Sequence, residues 1–193
     1  NGAEIGETWI VTEFCNRGSL RNCIDNDSLE TMGFDQLMGL AVQILSGIRY
    51  LHDEANPPVV HRDLKSANVL VTHEWVMKLC DFGSAKRKSL RQETLAGTAA
   101  YAAPEMLRQE EDLMGSPVDV WSFGVILWEI ITLEIPHHGL DQWVILIRGG
   151  MGKLRLLVPD ATPAEVKELL DSCWAFHPMN RPPAAELLQS LGA

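Results

Sequence analysis

Cations are scarce in this chain: 16 Lys and Arg stand against 26 Asp and Glu, a formal charge of −10. Binding along a phosphate backbone needs clustered positive charge, so this balance excludes nucleic acid as a partner. It also excludes adsorption to an anionic membrane surface. Cysteine is sparse as well. Cys15, Cys23, Cys80 and Cys173 show no CxxC spacing and no histidine at zinc-site distance. That argues against a disulfide framework and for reduced thiols in a cytoplasmic setting. His137-His138 has no third ligand at useful spacing. The most apolar run, Val120 to Trp128, is closed by Asp119 and Glu129, too short for a membrane span of about 20 residues. The opening NGAEIGETW has no basic or apolar leader and no initiator Met, so no signal peptide is expected and the natural chain is expected to begin upstream. There is no internal repeat.

Hydrophobic residues at 46% and charged residues at 22% describe an ordinary globular chain with a core. Its 193 residues suit one domain, or a large domain missing a piece. Thr8 to Phe14, rich in β-branched and aromatic residues, predicts a strand broken by Gly18. Leu37, Leu40, Ala41, Ile44, Leu45, Ile48 and Leu51 fall on one face of a helix over 35–52. Val69 to Val71 and Val76 to Cys80 predict two short strands around a THEW turn. Val118 to Leu133 predicts a helix buried on nearly all sides. TPAEVKELL opens another over 162–174, and Ala184 to Leu191 a last one. Trp121, Trp128 and Trp174 are most simply core residues.

The informative stretch is HRDLKSANVLVTHEWVMKLCDFG, from His61 to Gly83. Asp63, Lys65 and Asn68 lack helical periodicity and belong to a loop. An antiparallel hairpin sets the start of its first strand against the end of its second, which brings Asn68 beside Asp81. An amide oxygen and a carboxylate are hard oxygen ligands of the kind Mg²⁺ takes alongside phosphates. With Asp63 as a proton acceptor and Lys65 to neutralise a phosphoryl group, the residues suggest metal-assisted phosphoryl transfer. In isolation the same Asp and Asn residues are also ordinary loop formers.

His61-Arg62-Asp63 with Asn68 resembles the catalytic loop of eukaryotic protein kinases, and Asp81-Phe82-Gly83 resembles their metal-binding DFG turn. Gly97 to Glu105 (GTAAYAAPE) resembles the segment that closes the activation loop. Asp119 to Gly124 (DVWSFG) resembles the buried central helix, and Cys173-Trp174 with Pro178, Asn180, Arg181 and Pro182 the C-terminal signature. These five ordered motifs cover nearly the whole chain. The resemblance implies a fold that is α+β and mainly α: a kinase C-terminal lobe with a small β-hairpin at its catalytic edge, the N-lobe missing. Residues 1–18 would be the end of the N-lobe and the hinge, 61–83 the catalytic loop and DFG turn, and 81–105 the activation segment.

It also implies roles. Asp63 would orient the substrate hydroxyl, Lys65 would stabilise the γ-phosphate, and Asn68 and Asp81 would hold Mg²⁺. Glu105 would pair with Arg181, and Asp119 would brace the catalytic loop. Thr12 would be the gatekeeper, with Glu13 and Cys15 facing the adenine of ATP, Ser19 near the ribose and Leu70 flooring the pocket. Lys65 with Thr98 favours Ser/Thr protein substrates, and HRDLKSANVL is similar to the tyrosine-kinase-like group. A kinase further needs a Gly-rich loop and a strand lysine. Before Asp81 the chain holds only Lys65 and Lys78, so an N-lobe in cis is an implied partner, and the isolated chain is expected to transfer little phosphate. A cleft bared of that lobe is expected to promote association.

Several residues keep two readings. Cys80 is a reactive thiol at the pocket or a small packed residue. Lys86-Arg87-Lys88 with Arg91 is a solvated basic loop, or joins Arg62 in receiving a phosphate on Ser89 or Thr94. Trp143 to Lys153 superficially suggests a strand and phosphate loop, but Ile147 and Leu154 stand where that pattern needs Gly and Ser/Thr, leaving a helix and turn. The chain as a whole reads as part of an active kinase, or as a silent lobe kept for protein contacts.

Overall fold

The computed structural model describes residues 11–82 and 99–192. Among them are α1 (Leu20–Asp25), α2 (Phe34–Arg49), β1 (Val69–Val71), β2 (Met77–Leu79), α3 (Pro104–Leu107), α4 (Pro117–Thr132), α5 (Gln142–Gly150), α6 (Ala164–Cys173) and α7 (Ala184–Ser190). The result is a helix-rich α+β fold with one two-stranded sheet.

The centre is α4. Its helix begins with Pro at the first turn and buries everything from Val118 to Ile130. Phe123, Ile126, Leu127 and Ile130 are all but inaccessible, each worth about 1.5–3 kcal/mol of transfer free energy. Around it, α2 packs against α4, α7 and the β2 edge, while α6 lies on α4 and α3 on α5. The buried face of α2 is six of the seven predicted residues, Leu37, Leu40, Ala41, Ile44, Leu45 and Ile48, while Leu51 falls beyond the helix and is only partly buried. The helix then runs on as a π-turn over Tyr50–Glu54. Trp121, Trp128 and Trp174 are core residues as expected. Trp143 to Gly150 is helical, so the false phosphate loop is an ordinary helix end.

Two local expectations change, and one element was not foreseen. The α6 helix, expected over 162–174, starts at Ala164 with Pro163 at its N-cap and ends at Cys173. Within Thr8 to Phe14, residues 8–10 lie outside the described residues. Those from Val11 on are not in a strand, and Val11 and Phe14 are almost fully exposed. A strand needs a partner for its backbone groups, and among the described residues pairing begins later: Arg17 N donates to Val71 O (3.2 Å) and Val71 N to Gly18 O (2.8 Å). The unforeseen element is α1, which is too short to show periodicity. Its signal was Ser19-x-x-Asn22: Asn22 N donates to Ser19 Oγ (3.2 Å) and Ser19 N to Asn22 Oδ1 (3.0 Å), a reciprocal cap. Among the described residues no helix is long and apolar enough to cross a membrane.

Candidate active site

The hairpin pairs Val69 with Leu79, Leu70 with Lys78 and Val71 with Met77. Continued by one step, the ladder sets Asn68 against Cys80, whose N donates to Asn68 O (3.0 Å). Asp81 is therefore the next residue beyond the pair, one place off the expected register. Its backbone turns to φ 63°, outside the ladder, and its side chain is exposed.

On the other arm, the loop from His61 is polar and buried. Asp63 is 6% exposed. Lys65 Nζ lies 3.1 Å from Asp63 Oδ2, and Asn68 Nδ2 donates to the Asp63 carbonyl (2.8 Å) and to Oδ2 (3.2 Å). Asp63, Lys65 and Asn68 thus form one cluster. Since the amide nitrogen of Asn68 is taken by Asp63, its oxygen is the end left for a cation. His61 Nε2 contacts the Cys80 carbonyl (2.9 Å), while Asp63 N donates to His61 Nδ1 (3.4 Å). A carbonyl can only accept, so the ring carries its proton on Nε2. The His61 and Phe82 rings stand 5.1 Å apart, which ties the two arms together.

Two carboxylates of α4 hold this loop from beneath. Asp119 accepts from His61 N through Oδ2 and from Arg62 N through Oδ1, each at 2.8 Å, and His52 Nε2 lies 2.8 Å from Oδ2. Asp119 therefore braces the loop as the resemblance implied. Glu129, fully buried, receives Ser66 Oγ (2.9 Å), Tyr101 OH (2.8 Å) and Arg21 Nη1 (2.8 Å), all on Oε1. Burial pushes its carboxyl up to about 7 against the pull of those donors. Burial likewise pushes the Tyr101 phenol well above its ordinary range, and the charge of Glu129 adds to the rise. Sequence reading missed the Glu129 network. Its one signal was a carboxylate ending an otherwise apolar helix run. Glu105 pairs with Arg181 at the base of the fold (Oε1 to Nη1, 2.5 Å).

Beside the hairpin lies a cavity of about 800 Å³ whose walls include Thr12, Glu13, Cys15, Leu70, Cys80 and Asp81. Of the residues predicted to hold a nucleotide, only Ser19 is not among its walls. Its hydroxyl serves the α1 cap, and its backbone bridges to Leu70. The Glu13 side chain pairs with Lys78 (3.0 Å). Burial, then the charge of Asp81, push the Cys80 thiol up, and its Sγ donates to Asn68 O (3.3 Å). That is the behaviour of a packed thiol, not of a ready nucleophile. Tyr50 and Phe82, also in the cavity wall, are half exposed. Thr98, Gly83, Ser89, Thr94 and the cations Lys86, Arg87, Lys88 and Arg91 lie outside the described residues.

Among the described residues no three His, Cys, Asp or Glu side chains cluster as a metal cage. The donor set that is present, an exposed carboxylate at Asp81 and an amide oxygen at Asn68, fits a hard cation that takes its other ligands from phosphate and water.

The profile of the protein kinase domain matches residues 4–191. Mitogen-activated protein kinase kinase kinase zak-1 of Caenorhabditis elegans is 38% identical over 182 residues, covering 90% of this chain and 24% of that protein. Serine/threonine-protein kinase CTR1 of Arabidopsis thaliana is 38% identical over 186 residues, covering 94% and 22%. Mitogen-activated protein kinase kinase kinase 12 of Rattus norvegicus is 39% identical over 184 residues, covering 94% and 20%. The chain spans about a fifth to a quarter of the length of these relatives. With a profile match over nearly its entire length, the chain belongs to the protein kinase domain family.

Proposed function

We propose that this chain carries out Mg²⁺- and ATP-dependent phosphoryl transfer to Ser/Thr residues of protein substrates, as the larger, C-terminal lobe of a kinase. The observation that carries the reading is the cluster of Asp63, Lys65 and Asn68, set at the hairpin edge where the other arm ends in Asp81. Asp63 would accept or orient the proton of the substrate hydroxyl. Lys65, now on the Asp63 carboxylate, would turn to the transferred phosphoryl group. Asn68 and Asp81 would hold the metal, whose chemistry is to neutralise charge on the phosphate oxygens. Thr98, in the GTxxY segment, would contribute to selecting Ser/Thr.

In this reading residues 1–18 end the small lobe and form the hinge. Thr12, Glu13, Cys15 and Leu70 meet the adenine side of ATP, and Ser19 lies towards the ribose. A small lobe in cis supplies the Gly-rich loop and strand lysine that cover the phosphates. The relatives named as serine/threonine kinases favour this reading over a silent binding module.

The test is transfer of labelled phosphate from ATP to a Ser/Thr protein substrate by the polypeptide purified from its source. Asp63→Asn should lower turnover by about 10³-fold while folding is kept. Turnover unchanged in that variant, or metal-independent transfer, would refute the assignment.

A further inference from the structure

The cavity beside the hairpin has two walls that come from distant parts of the chain. Thr12, Glu13 and Cys15 belong to one, and Leu70, Met77 and Cys80 to the other. The first wall has no regular structure: residues 11–15 are in no helix or strand, and all but Cys15 are exposed. Its Glu13–Lys78 ion pair (3.0 Å) joins side chains that are 58% and 42% exposed, and a pair so open to water contributes little.

The hold lies just beyond that stretch. Cys15 O accepts from Gly18 N (3.2 Å), Gly18 O accepts from Val71 N (2.8 Å), and Arg17 N donates to Val71 O (3.2 Å). With the Ser19–Leu70 bridge, these bonds fasten the segment near Val71. The Arg17 side chain reaches further, to the turn of the hairpin. Its Nε donates to His73 O (3.0 Å), and its guanidinium carbon lies 4.3 Å from the centre of the Trp75 ring. A second fastening away from the first turns a pivot into a fixed angle.

The turn is itself anchored. Trp75 adopts φ 62°, a conformation that a bulky residue keeps only where its surroundings enforce it. Gln43 of α2 supplies part of the enforcement: Nε2 donates to Trp75 O (3.2 Å), and Oε1 accepts from Met77 N (3.1 Å). The Trp75 side chain also packs against the core. A line of contacts thus runs from a rigid helix through the turn to the guanidinium, and on to the irregular cavity wall.

We propose that Arg17 is a positioning residue for the nucleotide: laid over Trp75, it sets the angle between the hinge wall of the cavity and the hairpin wall. The inference rests on the nucleotide reading of that cavity. Arg17 does not line the cavity and acts through Cys15, two residues before it. A wall displaced by about 1 Å weakens the contacts made across the cavity, and a wall held in advance lowers the ordering cost of binding.

The test uses the natural polypeptide, with a fluorescent methylanthraniloyl derivative of ATP titrated by anisotropy and phosphate transfer measured in steady state. Arg17→Ala should raise the Kd of the derivative and the KM for ATP together, each by about fivefold. It should leave kcat and the KM for the protein substrate within about twofold, as expected when only nucleotide binding is lost. Arg17→Lys keeps a charge over the ring and should recover most of the affinity, and Trp75→Leu should match Arg17→Ala. The double variant should bind no more weakly than either single one, because the two residues act as one contact. The inference is overturned by unchanged Kd and KM in Arg17→Ala, by a fall in kcat alone, by no recovery in Arg17→Lys, or by losses that add in the double variant. If the parent polypeptide binds no derivative, the nucleotide reading falls and this inference with it. If the parent binds it and Arg17→Ala binds it equally well, this inference falls alone.

Discussion

Replacing Arg181 tests how much of the fold depends on a buried charge. Its guanidinium reaches Glu105 Oε1 (2.5 Å) and Oε2 (2.9 Å) and the carbonyls of Ala175 (2.9 Å), Pro117 (3.0 Å) and Phe176 (3.4 Å). It also stacks 5.0 Å from the centre of the Trp121 ring. Five N–H groups meet five acceptors, the full capacity of arginine. Arg181→Met keeps much of the apolar volume but leaves Glu105, fully buried, with no counter-charge. Breaking a buried pair from one side costs about 3–5 kcal/mol, a large part of the roughly 5–15 kcal/mol that holds a domain together. Arg181→Lys keeps the charge and loses the fork, and should cost about 2 kcal/mol. Replacing both partners, as Glu105→Leu with Arg181→Met, removes the stranded charge and should cost far less than the two single changes summed. Urea unfolding with a constant m value compares these three variants and Glu105→Leu with the parent chain. A loss below about 1 kcal/mol for Arg181→Met, or additivity within about 0.5 kcal/mol, would refute the reasoning.

Three other outcomes are expected. Gly124→Ala puts a Cβ 2.7 Å from Trp174 Nε1 and 2.9 Å from Cys173 Cβ, so thermal melting should show a loss of about 1–3 kcal/mol; an unchanged Tm would show that the α4–α6 seam can part. Glu129, with its carboxyl raised by burial from 4.5 to about 7, binds its proton more tightly folded than unfolded. Its contribution is therefore complete below about pH 4.5 and is lost as pH rises to about 7, at about 1.4 kcal/mol per pH unit and on the order of 3 kcal/mol in all. Glu129→Gln should flatten that slope in a pH series of urea melts, and a slope that persists would assign it to other groups. Asp119→Asn offers an N–H₂ where Asp119 accepted from His61 N or Arg62 N, and should lower kcat by about 10²-fold with KM for the protein substrate nearly unchanged. A KM effect alone in steady-state assays would contradict a positioning role.

Much of the scaffold was legible because apolar periodicity reports burial directly. Most of the α2 stripe and the solidly apolar α4 could be read residue by residue, and the hairpin followed from two short, mainly apolar runs around a turn. Less legible were features set by backbone partners and not by side-chain pattern. The expected strand over 8–14 depended on a pairing edge that Val11 to Phe14 do not have among the described residues. The six residues of α1 carry too few turns for a period, and only the Ser19–Asn22 cap marks their start. The hairpin register was one residue off because β2 ends at Leu79, which makes Cys80, and not Asp81, the neighbour of Asn68. Composition could locate Asp63, Lys65, Asn68 and Asp81 on a loop and a hairpin. It could not show that Lys65 and Asn68 both rest on Asp63, since that depends on side-chain directions.

Of the two groups that hold the loop in place, the resemblance marked Asp119, and nothing in the sequence marked Glu129 as its counterpart. Arg62 and Asp81 on either arm both adopt positive φ, 64° and 63°, which costs a non-glycine residue about 1 kcal/mol or more and persists only where the surroundings enforce it. The enforcement at Arg62 is Asp119, which captures the backbone N–H groups of His61 and Arg62 together. Beyond Lys65, Ser66 is fixed by Glu129, ten residues further along the same helix and so about 15 Å away along its axis. The short span carrying Asp63 and Lys65 is therefore strung between two buried carboxylates of one rigid helix. Neither carboxylate belongs to the loop, and hydropathy counts them only as the two ends of the apolar run Val120 to Trp128. Those two end groups are what turn α4 from a packing core into a support for the candidate site. A variant that improved the apolar character of α4 at Asp119 or Glu129 would make a better core helix, and would release one end of the loop from its anchor.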